Sequence, residues 1–110
     1  MKRKPIRALL LSAGFGTRLR PLTYETPKCL VEVNGESLLL RWLRILDDIG
    51  CESVLVNTHH LSQKIDNVLH QIDNLNIKIQ TTYEKELLGT AGTLINNKDF
   101  FNNCTGLLIH

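Results

Sequence analysis

At 110 residues with 43% hydrophobic content, the chain is sized for one domain and is too apolar to be disordered. Thirteen Lys and Arg against eleven Asp and Glu leave a formal charge of +2, and the only local excess, Lys2-Arg3-Lys4, is too short for a nucleic-acid surface and reads as a solvated tail. The apolar stretch behind that tail is short and broken by Pro5 and Arg7, so no secretory leader is expected, and no run approaches membrane-spanning length. Cys29, Cys51 and Cys104 are odd in number, widely spaced and without a Cys-x-x-Cys pair, so neither a disulfide framework nor a zinc site is supported. A cytoplasmic setting is the expectation, and there Asn103-Cys104-Thr105 carries no glycan.

Ile6–Leu11 is a near-continuous apolar run, as in a strand covered on both faces. It ends at Ser12 and gives way to Ala13 and Gly14, where side chains nearly vanish and backbone N–H groups can approach an oxyanion closely. A polyphosphate spreads its charge over many oxygens, and consecutive N–H groups in a Gly-rich turn bind such an anion without side chains. Arg18 and Arg20 add long-range attraction and the guanidinium fork. The stretch 11–23 therefore reads as a phosphate site. The dinucleotide fingerprint is excluded by Leu19, where a third glycine belongs, and the P-loop by the absence of a Gly-Lys-Ser/Thr ending.

Residues 29–33 read as a short extended piece closed by the Asn34-Gly35 turn, and Ser37 offers a helix N-cap. From 38 to 49, Leu38, Leu39, Trp42, Leu43, Leu46 and Ile49 recur at helical spacing while Arg41, Arg44 and Asp48 point outward. Gly50 is the stop. At that spacing Trp42 is expected in the core rather than as a stacking platform. Residues 53–57 read as the next strand. His59-His60 follow it at the expected ligand edge; on a strand they would face opposite sides, poor geometry for a shared metal, so a structural or solvated role is expected. A second amphipathic helix spans 61–72 and includes His70, and a third strand spans 77–83. A turn at 88–92, a short helix through Leu94 and Ile95, Phe100-Phe101 and a last strand at 106–109 complete the chain. Strand and helix alternate throughout, so the expected architecture is an open, mostly parallel α/β sheet flanked by helices and joined by right-handed crossovers. Ligands bind such sheets at the carboxyl ends of the strands, where Ala13 and Glu84 both fall.

Residue by residue, Gly14-Phe15-Gly16-Thr17-Arg18-Leu19-Arg20-Pro21-Leu22-Thr23 followed by Pro27-Lys28 resembles the signature of sugar-phosphate nucleotidyltransferases, whose fold is a Rossmann-like sheet. Glu84-Lys85-Glu86-Leu87-Leu88-Gly89-Thr90-Ala91-Gly92 resembles the family's base- and ribose-binding turn. Within it, 87–92 looks closest to mannose-1-phosphate guanylyltransferases, which makes GTP and mannose 1-phosphate the expected partners. The implied reaction is attack by a sugar-1-phosphate oxygen on the α-phosphorus of a nucleoside triphosphate, releasing pyrophosphate. The resemblance implies that the backbone of Leu11, Ala13, Gly14 and Gly16 contacts base, ribose and phosphates, and that Thr17 and Arg18 hold the triphosphate. Arg18 would also neutralise the leaving pyrophosphate, Lys28 would bridge the α-phosphate and the sugar phosphate, and Glu84 and Gly89 would lie at the base and ribose.

The resemblance also implies magnesium, held by an aspartate just beyond the strand corresponding to 106–109 and by an acidic residue further on. The sequence ends at His110, so no metal ligand is assigned within it. On this reading residues 1–110 form a single N-terminal nucleotide-binding part of a nucleotidyltransferase domain, incomplete relative to the family and better able to bind a nucleotide than to complete the reaction. The alternative is a non-catalytic or self-assembling module that keeps the fold's first half. A sheet ending after strand 106–109 leaves an edge and apolar helix faces that association into a homo-oligomer would cover. No nucleic-acid or membrane partner is expected.

Overall fold

In the computed structural model, which describes residues 3–109, four strands run parallel in the order β5-β4-β1-β6. Lys2 of the basic run and His110 lie outside the described residues. The strands are β1 (Ile6–Leu11), β4 (Ser53–Thr58), β5 (Lys78–Tyr83) and β6 (Thr105–Ile109), while β2 (Glu32–Val33) and β3 (Glu36–Ser37) form a separate antiparallel hairpin. The helices are α1 (Leu38–Asp48), α2 (Ser62–Gln71) and α3 (Gly89–Asn96). Leu10 stands opposite Val56 on one side and Ile109 on the other. The chain builds outward from β1 through β4 to β5, then returns past both to place β6 on the far side of β1. Strand order therefore reverses beside β1, and ligands of such sheets bind in the crevice this reversal leaves at the carboxyl ends.

Alternation along the strands divides the core between two faces. Ala8, Leu10, Val54 and Val56 join Leu39, Leu43 and Leu46 of α1 and Ile65 of α2 in one cluster. Leu9 and Leu55 point to the other face and are equally buried. There the turn Lys98–Phe101 lies close, since a Cβ on Gly106 would meet the Phe101 ring at 3.4 Å. Arg7 ties this turn to the amino ends of the strands: its Nε donates to Glu52 Oε1 at 3.0 Å and its Nη1 to Phe100 O at 2.9 Å.

Helix α1 is bounded as its sequence dictates. Ser37 Oγ accepts from Leu40 N at 3.1 Å, an N-cap worth about 1 kcal/mol. At the far end Gly50, at φ +80°, donates to Asp47 O, and Cys51 N donates to Leu46 O, both at 3.0 Å, the paired bonds of a Schellman ending.

Three expectations need correction. Trp42 is 40% exposed, because the buried stripe of α1 runs through Leu39, Leu43 and Leu46; Trp42 lies beside it, as do Ile45 and Ile49. Cys29 and Leu30 are not extended: they lie in a 3-10 turn, Lys28–Leu30, closed by Leu30 N donating to Pro27 O at 2.9 Å, so extended pairing is left to Glu32–Val33. The segment 88–92 is not a turn preceding a helix, since α3 itself begins at Gly89.

Candidate functional site

The carboxyl end of β1 runs directly into the glycine turn. Ala13 is buried and anchors the turn, whereas Gly14 is exposed, and a Cβ there would meet nothing within 4 Å. Gly16 is the opposite case. Its φ is +63°, and a Cβ would fall 2.8 Å from Thr23 Cγ2 and 3.2 Å from Lys28 Cβ. Left-handed backbone and close approach thus both require glycine at this position. Two 3-10 turns follow, Thr17–Leu19 and Leu22–Tyr24, and fold the segment back on itself. Fully buried Thr23 closes the loop, its Oγ1 donating to Gly16 O at 2.5 Å.

This folding brings Lys28 to the glycine turn twelve residues before it in sequence and leaves Thr17, Arg18 and Lys28 exposed. Among the described residues neither Arg18 nor Lys28 is ion-paired, so both charges remain available to an anion. Arg20 is engaged differently: its guanidinium lies over the Tyr24 ring, 4.9 Å from the centroid. Leu11, half-buried at the end of β1, pairs in register with Asn57.

A buried polar network joins this turn to the second motif. Ser12 N donates to Asn57 Oδ1 at 2.6 Å, and Ser12 Oγ donates to Asn57 O. Asn57 Nδ2 donates to Glu84 Oε2 at 3.1 Å, where Thr93 Oγ1 also donates at 2.5 Å; Leu88 N donates to Glu84 Oε1 at 3.2 Å. Glu84 is therefore no exposed loop carboxylate. It is 4% exposed, and three donors offset the cost of burying its charge. Its side chain braces the ends of β4 and β5 against α3. Gly89, the first residue of α3, is exposed at φ +72° with open space where a Cβ would stand. Sequence reasoning passed over Asn57 and Thr93. The available signal was a polar Asn closing the strand Ser53–Thr58, every residue of which is buried.

His59 and His60 do not face opposite sides, because β4 ends at Thr58 and they lie beyond the pleat. Both rings pack on Phe15, at centroid distances of 5.3 Å and 5.2 Å. The Cys29 thiol beside Lys28 is pushed up to about 11 by burial, against the opposing effect of hydrogen bonds from its own backbone and Ser12. It stays protonated at neutral pH, so no thiolate nucleophile adjoins the turn.

An open, Rossmann-like α/β sheet with a glycine turn and two exposed cations at its carboxyl edge defines the class of protein. A sequence profile described as nucleotidyl transferase matches residues 7–109, and the chain belongs to that family. It is 43% identical over 89 residues to the mannose-1-phosphate guanylyltransferase catalytic subunit beta of Drosophila pseudoobscura pseudoobscura, covering 80% of this chain and 24% of that one. The enzyme of the same name from Dictyostelium discoideum is 37% identical over 99 residues, 89% of this chain and 28% of that one. The crystal structure of HddC from Yersinia pseudotuberculosis, complexed with GMP-PN, superposes with a TM-score of 0.75 at 26% identity, over 86% of this chain and 42% of that one. The chain thus spans about a quarter of the length of these curated relatives.

Magnesium, which the family resemblance implies, finds no fitting donor set here. Among the described residues no group of three or more His, Cys, Asp or Glu side chains is placed to hold an ion, and the Glu84 carboxylate is already engaged. Among the described residues, no helix is long and apolar enough to cross a membrane.

Proposed function

We propose that residues 1–110 are the nucleoside-triphosphate-binding part of a sugar-1-phosphate nucleotidyltransferase, with GTP and mannose 1-phosphate as substrates and the cytoplasm as its setting. The observation that carries this reading is the packing of Lys28 against Gly16, which gathers both ends of the signature around one turn. The base and sugar are supported by relatives named mannose-1-phosphate guanylyltransferase.

In this reading the N–H groups of the turn from Ala13 to Gly16, opened to solvent at Gly14, receive phosphate oxygens, with Thr17 and Arg18 holding the triphosphate. A sugar-phosphate oxygen forms the new bond to the α-phosphorus as the bond to pyrophosphate breaks. Arg18 neutralises the charge that develops on the departing pyrophosphate, and Lys28 bridges the α-phosphate and the incoming phosphate. Leu11 contributes backbone at the base, and Glu84 acts there by holding the loop that leads to Gly89 at the ribose. Positioning and charge neutralisation do the work, and no protein nucleophile is needed.

Because no convergent group of three or more metal-holding side chains lies among the described residues, these residues alone are expected to bind nucleotide and to turn it over slowly or not at all. Pyrophosphate release from GTP, mannose 1-phosphate and magnesium, with Arg18→Ala as control, tests this: rapid Arg18-dependent turnover by the 110-residue chain overturns the claim of incompetence. A second reading, a self-assembling module, is favoured by the edge strand β6, which carries no charged residue and leaves Leu108 47% exposed, and by Ile95 at 72% exposed. Light scattering at micromolar concentration decides it, a monomer counting against assembly.

A further inference from the structure

The histidine pair has no part in the roles assigned above, yet it touches the signature segment at both Phe15 and Thr23. Because a carbonyl only accepts, Nδ1 of His59 carries a proton and donates to Glu84 O at 2.6 Å; Nε2 of His60 likewise donates to Thr23 O at 2.7 Å. Phe15, between Gly14 and Gly16, lies edge-on to His59 and tilted on His60. Tyr83 stacks on His59 with centroids 6.3 Å apart, and Lys64 Nζ, from α2, donates to Glu25 O. Thr23 is the residue whose hydroxyl holds Gly16 O. One two-residue link thus grips the glycine turn by its only aromatic ring, grips its closing threonine by the backbone, and reaches the second motif through Glu84.

We propose that His59 and His60 are positioning residues that clasp the glycine turn onto the end of β4 and hold its N–H groups in their binding geometry before any nucleotide arrives. The inference rests on the reading of this turn as a nucleotide site, but the clasp itself has a ligand-independent readout. The segment 14–26 leaves Phe15, Leu19, Leu22 and Tyr24 exposed rather than buried in the core, so its order must come from contacts of this kind.

The test is hydrogen exchange on the unliganded 110-residue chain, paired with calorimetric titration of GTP, for His60→Ala, His60→Gln and His59→Asn. The glutamine and asparagine keep a donor near the position of the imidazole N–H they replace. His60→Ala is expected to speed exchange within 14–26 while leaving 53–58 as protected as in the parent, and to weaken GTP about fivefold, the value of one neutral hydrogen bond. His60→Gln is expected to restore most of the protection and affinity that His60→Ala loses, and His59→Asn to keep most of both. Unchanged exchange within 14–26 overturns the clasp, as does an acceleration that spreads equally through 53–58 and marks a general loss of stability. If the parent chain binds no GTP, the nucleotide reading fails while the exchange arm still decides the clasp.

Discussion

Replacing Gly16 by alanine should cost this fold more than a methyl group suggests. At φ +63° an alanine loses about 1 to 2 kcal/mol to contact between its Cβ and the following carbonyl. Its Cβ would then stand 2.8 Å from Thr23 Cγ2, and Thr23 has no room to yield because it is fully buried and its Oγ1 is bonded to Gly16 O. Overpacking of that kind adds about 1 to 3 kcal/mol. The expected loss is about 3 kcal/mol, which for a domain of this size lowers Tm by about 15 °C without abolishing the fold. Gly14→Ala is the internal control: its Cβ meets nothing, so stability should change by less than about 0.5 kcal/mol, while GTP affinity falls because the methyl occupies the space the anion needs. Urea denaturation followed by far-UV circular dichroism measures both. Equal stability of the two alanine variants would show that neither the left-handed backbone nor the Thr23 contact makes Gly16 necessary.

Asn57→Ala should cost about 2 to 3 kcal/mol in the same assay, because it removes the partner of Ser12 N and one of the donors to buried Glu84; a change below about 0.5 kcal/mol would show that the network is slack. Burial raises Cys29 from 9.0 to about 11, so the folded state retains the thiol proton that the unfolded chain releases first. The Cys29 contribution is thus constant below pH 9 and falls between 9 and 11; Cys29→Ala should flatten that part of the curve, and an unchanged slope counts against the assignment. At pH 8 alkylation of Cys29, mapped by peptide mass spectrometry, should be about a hundredfold slower in the folded chain than in urea. Trp42→Gln should change stability by less than about 1 kcal/mol, whereas Leu43→Ala should cost about 3 kcal/mol, the reverse of what residue size alone suggests.

The parallel sheet was legible because its two central strands are covered on both faces, so Ile6–Leu11 and Ser53–Thr58 appear as largely apolar runs. The ends of α1 were legible for a local reason, since Ser37 and Gly50 act on their own helix termini. Trp42 was not legible, because helical spacing marks a broad apolar arc and only contact with the sheet decides which part of it is covered. The glycine turn could be located but not its internal logic: that Gly16 needs its bare backbone against Thr23 and Lys28, while Gly14 faces open space, depends on a fold-back through two 3-10 turns. Glu84 and the histidine pair were hidden for the same reason. A buried carboxylate satisfied by Asn57, Thr93 and Leu88 N is a tertiary arrangement, of which the sequence carries only the polar Asn57 in a largely apolar run.

The turn from Ala13 to Gly16, with Arg18 and Lys28 exposed beside it, is proposed to bind a nucleoside triphosphate. Calorimetric titration of GTP into the 110-residue chain, alongside Arg18→Ala and Lys28→Ala, tests it most directly. Saturable one-to-one binding that weakens about tenfold in Arg18→Ala is the predicted result, as expected when one charge-assisted contact to phosphate is removed. No binding at millimolar GTP, or binding indifferent to both substitutions, would contradict it.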